Sequence, residues 1–175
     1  MLPEGLIEAL LAADVARRHE RDELTDRVKV DVHGGELGIE LQHAILTDEL
    51  RARARDFHDH AWRAWFDRVT RSFEAAVSRY PPDQGMSWHC DHQNQGRILN
   101  FTIALNQFEG GELLLSRDPI IGQDCYPDPL VELALPCDRN RLILFPAWYT
   151  HQAEPARTER IVCHGHVSMY PPGLN

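Results

Sequence analysis

The sequence predicts a mainly β fold of the sandwich or barrel type, preceded by helices and strands in the N-terminal part. Through the C-terminal part, short apolar runs alternate with turns such as PPDQG, EGG and PCDRN, in which Gly, Pro and polar residues interrupt the runs. Many short strands separated in this way are typical of an antiparallel sandwich or barrel, and not of a parallel sheet covered by helices. The predicted strands are 73–80, 97–106, 111–115, 130–135, 141–145 and 160–168.

The N-terminal part carries signals for both helices and strands. Residues 3–18 place apolar side chains at helical spacing, which predicts a helix. RVKVDV (27–32) and LGIELQHAIL (37–46) each alternate apolar and polar residues on either side of a Gly-Gly pair, which predicts two strands or a hairpin. Residues 48–72 are rich in Ala, Arg, Leu and Trp, and they follow Thr47, which is suited to cap a helix. This segment is predicted to be the long helix.

Length, composition and charge narrow the classes of function. With 175 residues, of which 43% are hydrophobic, the chain is expected to form one domain, residues 1–175. The net charge of −9 argues against nucleic acid as a partner, since proteins that bind a phosphate backbone usually present a basic face. No apolar run predicts a membrane span and no secretory signal is recognised, so a cytoplasmic protein without a membrane partner is expected. Residues 117–130 form a long irregular loop of the kind that often serves as a lid.

The stretch SWHCDHQNQGR, residues 87–97, places histidine and carboxylate side chains just before an apolar strand. Alternate residues of a strand face the same side, so His89 and Asp91 are expected to project together. His151, which follows the apolar run RLILFPAW, could supply a third ligand. Two imidazoles and one carboxylate on one side of a metal are the ligand set of non-haem Fe(II) oxygenases. The alternative is a solvated turn, because a chain with 10 histidines can produce this pattern by chance.

Arg160 adds a second element to the candidate site. It begins the alternating run RIVCHGHVSM, and the polar turn EPARTE separates it from His151. A hairpin at that turn would bring the two residues close together across one sheet. The planar guanidinium suits a carboxylate and stays charged when partly buried, as a dicarboxylate cosubstrate would require. The alternative is a strand arginine that is paired with Glu154 or Glu159.

Together, these motifs resemble the catalytic core of the Fe(II)/2-oxoglutarate-dependent dioxygenases of the prolyl 4-hydroxylase-like branch. Tyr80 precedes the HCD motif by nine residues, and GRILNFTIALN, EGGEL and RLILFPAWYTHQAEPA follow in the family's order. Arg160 and Gly165 then match the last strand of the pattern. The resemblance covers residues 80–168, about half of the chain.

The resemblance implies a mainly β fold with flanking helices, namely a double-stranded β-helix of the jelly-roll, cupin-like type. Residues 73–170 would form the catalytic core and residues 1–72 its helical and strand support. His89, Asp91 and His151 would hold Fe(II), while Arg160 and Tyr80 would bind 2-oxoglutarate. Asn100 and His166 stand where the family commonly has Thr and Trp, and they are also expected to contact the cosubstrate.

The activity that the resemblance implies is hydroxylation coupled to conversion of 2-oxoglutarate and O₂ into succinate and CO₂. Related halogenases lack the carboxylate ligand, so Asp91 favours hydroxylation. The expected substrate is a small molecule or an amino acid, free or carrier-bound, and the residues expected to contact it are His92, Gln93, Gln95, Arg97 and Trp148. The alternatives are a hydroxylase of peptidyl residues and a catalytically silent jelly-roll that binds a metal.

Overall fold

The computed structural model describes residues 1–16, 20–22, 27–31, 35–46, 73–91, 97–118 and 129–168, and it places two helices and ten strands within them. The helices are α1 (Glu4–Ala16) and α2 (Gly35–Leu46). The strands are β1 (Glu20–Asp22), β2 (Arg27–Asp31), β3 (Phe73–Tyr80), β4 (Met86–His89), β5 (Arg97–Ala104), β6 (Leu113–Ser116), β7 (Leu133–Leu135), β8 (Leu142–Pro146), β9 (Thr150–Ala153) and β10 (Arg160–Ser168).

The strands form two antiparallel sheets. The larger sheet has the order β1-β2-β3-β10-β5-β8 and the smaller has the order β4-β9-β6-β7. From β3 onwards the chain passes repeatedly between the two sheets, as it does in a jelly-roll. Leu113 and Leu115 of the smaller sheet pack with Ile143 and Phe145 of the larger one. The predicted mainly β jelly-roll with flanking helices is therefore confirmed.

The six strands predicted in the C-terminal part are all present, with shifts of a few residues at their ends. The structure adds β4 and β9, four-residue strands too short to show a clear alternation in the sequence. In the N-terminal part, the predicted helix over 3–18 corresponds to α1 and the predicted strand over 27–32 corresponds to β2. The predicted long helix at 48–72 lies outside the described residues, as does most of the predicted loop at 117–130.

The prediction of a strand at 37–46 is wrong, because these residues belong to helix α2. Their apolar residues also fit a helical period: Leu37, Leu41 and Ile45 recur every four residues and therefore fall on one helical face. Leu41 and Ile45 are buried in the main apolar cluster, where Leu37 and Ala44 pack against them. Packing of this face, which the local alternation does not reveal, decides between the two periods.

Strand β10 shows how the larger sheet separates its two faces. Ile161, Cys163 and Val167 lie in the apolar cluster that also contains residues of α1 and α2. Arg160 and the alternate residues that follow it line a cavity on the opposite face. The period of two along the strand thus places apolar residues under the helices and polar residues inside the jelly-roll.

Within the described part of the chain, neither helix is both long and apolar enough to span a bilayer.

Candidate active site

The three predicted metal ligands come together at one end of the smaller sheet. Strands β4 and β9 pair in antiparallel register with His89 directly opposite His151, and Asp91 follows two residues after His89. One ligand atom from each residue lies within 4.8 Å of the other two. The rings of the two histidines are 4.0 Å apart between centroids and are tilted by 52°. Residues separated by about 60 positions in the chain therefore present their donor atoms to one point.

Both histidines are oriented by backbone carbonyls. Nδ1 of His89 lies 2.8 Å from the carbonyl oxygen of Ser87, and Nδ1 of His151 lies 3.2 Å from that of Tyr149. A carbonyl only accepts hydrogen bonds, so each Nδ1 carries the proton and donates it. In each ring the lone pair is then on Nε2. This arrangement fixes the tautomer of a metal-binding histidine.

The electrostatics of Asp91 and His151 suit a divalent metal. Burial alone would raise the pKa of Asp91, but the neighbouring imidazoles and Arg97 outweigh that effect and hold the pKa below its usual value. Burial lowers the pKa of His151 to about 4, so its imidazole is neutral near pH 7. Metals bind ionised carboxylates and neutral imidazoles, which are the forms favoured here.

Asp91 is held by several polar neighbours. Asn100 donates a hydrogen bond of 2.8 Å from Nδ2 to Asp91 Oδ2, and Arg97 Nη1 lies 3.4 Å from Oδ1. Nδ1 of His166 lies 3.4 Å from Asn100 Oδ1 and 3.9 Å from Asp91 Oδ2. Arg97 also pairs with Glu74 at 3.6 Å. Two of the predicted cosubstrate residues, Asn100 and His166, thus lie against the carboxylate.

Arg160 is buried at the first position of β10, where it pairs in register with Tyr80 of β3. Its guanidinium carbon lies 4.3 Å from the centroid of the Tyr80 ring and 6.0 Å from that of Phe108. Nη1 donates to the carbonyl oxygen of Glu154 at 3.0 Å, while Nε and Nη2 have no hydrogen-bond partner among the described residues. A buried guanidinium with two unmatched donors is a site where an anion would be stabilised.

The hairpin predicted between His151 and Arg160 is wrong, because β9 belongs to the smaller sheet and β10 to the larger one. The turn that joins them crosses between the sheets and is held by an isolated β-bridge between Gly110 and Ala156. Both side chains still face the interior of the jelly-roll. They line the same cavity from opposite sheets, rather than meeting across one sheet.

The cavity has a volume of about 250 Å³. Of the predicted site residues, its lining includes Tyr80, His89, Asp91, Arg97, Asn100, His151, Arg160 and His166. Trp148 does not belong to this lining and is 55% exposed. His92, Gln93 and Gln95 lie outside the described residues.

Two further cavity residues, His164 and Cys137, are absent from the sequence-based prediction. His164 Nε2 lies 2.8 Å from the hydroxyl of the fully buried Ser78. The alternation along β10 could have identified His164, because it shares a face with Arg160 and His166. Cys137 comes from the turn PCDRN before β8, and no sequence signal placed it near the site.

The donor set fits Fe(II). Two imidazoles with fixed tautomers and one carboxylate are the protein ligands of non-haem Fe(II) oxygenases, and they leave coordination positions open for cosubstrate and O₂. The unmatched donors of Arg160 in the same cavity fit the second carboxylate of 2-oxoglutarate.

Comparisons with known proteins agree with this assignment. The chain is similar in structure to a prolyl-4-hydroxylase from Pseudomonas putida, with a TM-score of 0.66 and 19% identity over 97% of this chain and 89% of that one. It is similar to a 2OG-Fe(II) oxygenase family oxidoreductase from Burkholderia pseudomallei, with a TM-score of 0.62 and 14% identity over 94% and 78% of the two chains. It is also similar to the viral collagen prolyl hydroxylase of Paramecium bursaria Chlorella virus-1, with a TM-score of 0.55 and 16% identity over 97% and 92%.

Similarities at these identities establish the fold that the chain shares with prolyl hydroxylases. No curated protein sequence matches the chain significantly. The family model described as the 2OG-Fe(II) oxygenase superfamily matches residues 75–168, more than half of the 175 residues, and this range contains all the residues of the candidate site. The chain therefore belongs to the 2OG-Fe(II) oxygenase superfamily, whose enzymes are dioxygenases that use Fe(II), 2-oxoglutarate and O₂.

Proposed function

We propose that this oxygenase hydroxylates a small molecule or an amino acid, free or carrier-bound, with succinate and CO₂ as coproducts. In this proposal His89, Asp91 and His151 hold Fe(II), and Arg160 with Tyr80 binds the distal carboxylate of 2-oxoglutarate. The observation that carries the proposal is that Arg160, with two unmatched donors, lines the same cavity as the three ligands. When bound, Fe(II) and 2-oxoglutarate supply the oxidising chemistry, which protein side chains cannot supply themselves.

The surroundings of Arg160 support its role as the carboxylate-binding residue. Leaving donors of a charged group buried and unpaired is costly, so the guanidinium at this position requires an anionic partner. The contact with Glu154 uses one terminal nitrogen, and the Tyr80 ring covers the guanidinium plane. Nε and Nη2 remain available for a two-pronged contact with a carboxylate. Burial lowers the pKa of Arg160, but an arginine remains charged at neutral pH.

The size of the cavity supports a small substrate. Pockets for drug-sized ligands usually have volumes of roughly 300–1,000 Å³. The cavity here has about 250 Å³ and extends from Arg160 to the three ligands, so 2-oxoglutarate would occupy a large part of it. The remaining space suits one small molecule or one side chain. Apolar lining residues such as Phe145, Leu113 and Val162 would exclude water from the reacting atoms.

Hydroxylation of a peptidyl residue is the second candidate function, and one surface feature favours it. Leu130, Val131 and Leu133 are exposed at and just before β7, which is an edge strand of the smaller sheet in the part of the chain that the structure describes. Apolar residues beside an unpaired strand edge can receive an extended peptide. The structural relatives include a prolyl hydroxylase of Trichoplax adhaerens in complex with a peptide fragment of the hypoxia inducible factor oxygen degradation domain.

An assay of succinate release would test the proposed function. The protein would be loaded anaerobically with Fe(II) and 2-oxoglutarate, then exposed to O₂ in the presence of amino acids, metabolite pools or peptide libraries. The proposal predicts that a small molecule or amino acid stimulates succinate release and gains one oxygen atom, which mass spectrometry would detect. Stimulation by peptides alone would favour the second candidate, and failure to consume 2-oxoglutarate under all conditions would refute the oxygenase assignment.

A further inference from the structure

The Asp91 carboxylate has a buried amide neighbour, Asn100. Asn100 is 3% exposed, and it lies on β5 with its side chain facing into the jelly-roll. Its Nδ2 donates to Asp91 Oδ2 at 2.8 Å, whereas Arg97, His151 and His166 lie 3.4, 3.5 and 3.9 Å from the carboxylate. A distance of 2.8 Å is typical of a strong N–H···O hydrogen bond to a charged acceptor.

The orientation of the Asn100 amide follows from its neighbours. An ionised carboxylate only accepts hydrogen bonds, so the amide must turn its nitrogen, and not its oxygen, towards Asp91. Its oxygen then faces His166, whose Nδ1 lies 3.4 Å away. His166 and Asn100 are direct partners across β10 and β5, which holds the two side chains side by side on one face.

From these contacts we infer that Asn100, oriented by His166, is a positioning residue for the metal-ligating carboxylate of Asp91. A carboxylate carries about four lone-pair positions, so Oδ2 can accept the amide hydrogen bond while the group also binds a metal. The hydrogen bond fixes the rotation of the carboxylate towards His89 and His151, because Asp91 lies beyond the end of β4 and, among the described residues, no strand pairing holds its backbone. This inference rests on the proposed function and assigns Asn100 a task that precedes cosubstrate binding.

A positioning role and a cosubstrate contact predict different measurements. If Asn100 orients Asp91, its loss weakens metal binding even when 2-oxoglutarate is absent. Hydrogen-bond partners of metal ligands typically change metal affinity by about 10–100-fold when they are removed. If Asn100 instead contacts 2-oxoglutarate, its loss raises the KM for 2-oxoglutarate and leaves metal affinity unchanged.

The experiment is a titration of the metal-free protein with Mn(II), in which the electron paramagnetic resonance signal reports the free ion. We expect Asn100→Leu, which keeps the branched shape of the side chain with some added bulk but removes its donor, to raise the Kd for Mn(II) by about 10–100-fold. Asn100→Ala removes the donor without adding any bulk, and it should give the same direction of change if the leucine variant does not fold. His166→Phe should weaken binding to a smaller extent, because His166 acts through Asn100.

Thr102→Val provides the matched control. Thr102 lies two residues further along β5, faces the same cavity and pairs with His164 in place of His166. The Kd of the Thr102→Val protein for Mn(II) should equal that of the wild type. Thermal unfolding of the metal-free variants would confirm that all are folded. At saturating Fe(II), the KM of Asn100→Leu for 2-oxoglutarate should remain close to that of the wild type.

The possible outcomes of the Mn(II) titration lead to different conclusions. Wild-type Mn(II) affinity in both Asn100 variants would overturn the inference, and a raised KM for 2-oxoglutarate would then identify Asn100 as a cosubstrate contact. Unchanged affinity in His166→Phe would remove His166 from the positioning role. A wild-type protein that binds no Mn(II) would instead refute the proposed metal site itself, so failure of the inference and failure of the proposed function are distinguishable.

Discussion

The two faces of the larger sheet are built from alternate residues of the same strands, yet they differ in almost every property. On one face, Ile161, Cys163 and Val167 of β10 pack in an apolar cluster with residues of α1 and α2. On the other, Arg160, Val162, His164 and His166 line the cavity that contains the candidate site. Successive residues of the strand therefore serve different purposes: one stabilises the fold, and the next lines the cavity of the candidate site.

The helix-covered face stabilises the fold, whereas the cavity face reduces its stability. Burial of apolar side chains on the helix-covered face stabilises the fold in proportion to the area removed from water. The cavity face holds a guanidinium with unmatched donors and a cluster of imidazoles around one carboxylate, none of which favours folding by itself. Substitutions on the two faces should consequently affect different measurements.

The largest expected effect lies on the cavity face. His151→Ala removes one of the three proposed metal ligands, so we expect it to abolish tight Fe(II) binding while the protein remains folded. Iron content after anaerobic loading and gel filtration would measure this effect. His164→Ala is the matched control, because it removes a histidine of the same cavity that is not one of the three ligands. A His151→Ala protein with wild-type iron content would contradict the assignment of the metal site.

A large loss of stability is expected at Gly165. A Cβ atom there would lie 1.9 Å from the carbonyl oxygen of Glu74 and 2.8 Å from the Phe101 ring, which stacks on Phe73. Since backbone cannot yield as a flexible side chain does, Gly165→Ala should lower the free energy of unfolding by about 3 kcal/mol or more.

Gly5→Ala on α1 is the control for Gly165→Ala, because nothing lies within 4 Å of its added Cβ atom. Alanine is favoured over glycine in helices, so Gly5→Ala should be neutral or stabilising by up to about 1 kcal/mol. Urea denaturation of the three proteins would provide the comparison. A Gly165→Ala protein as stable as the wild type would show that the strand packing described here is incorrect.

The smallest effect is expected for Ile161→Val, on the helix-covered face next to Arg160. Loss of one buried methyl group should lower the free energy of unfolding by about 1 kcal/mol. The affinity for metal and the KM for 2-oxoglutarate should not change, because the side chain faces away from the cavity. A clear change in either binding measurement would mean that the two faces are more strongly coupled than their separation implies.

The sequence was sufficient to predict the features that depend on local periodicity and on motif spacing. The short strands and the turns between them indicated a sandwich or barrel, and the family resemblance carried by the HCD motif, Tyr80 and Arg160 implied the jelly-roll and several residues that line its cavity. The sequence pattern was misleading for residues 37–46. There, strand-like alternation and helical spacing coexist, and only packing against α1 decides between them. It also placed β9 and β10 in one sheet, because the sequence of a turn does not reveal whether the turn crosses between sheets.

The finer contacts of the site could not be predicted, because they depend on side chains that meet from distant strands. Asn100 of β5 contacts Asp91, which follows β4 of the other sheet, and no spacing in the sequence encodes that approach. Cys137 likewise joins the cavity through the position of the turn before β8. Trp148 is adjacent in sequence to the segment that carries His151, but it faces outwards.

The proposed contact between Arg160 and the distal carboxylate of 2-oxoglutarate can be tested by the 2-oxoglutarate dependence of succinate release. Loss of the partner of a buried carboxylate costs roughly 2–5 kcal/mol, so Arg160→Ala should keep its iron but require about 30-fold to several-thousand-fold more 2-oxoglutarate. Arg160→Lys should recover only part of the loss, because lysine lacks the planar fork.

Arg157→Ala is the control in the same measurement, since Arg157 is exposed and pairs with Glu109. It should behave as the wild type does. We expect a large rise in the 2-oxoglutarate requirement for Arg160→Ala, a smaller rise for Arg160→Lys and no change for Arg157→Ala. Turnover by Arg160→Ala with the 2-oxoglutarate dependence of the wild type would contradict the proposed contact.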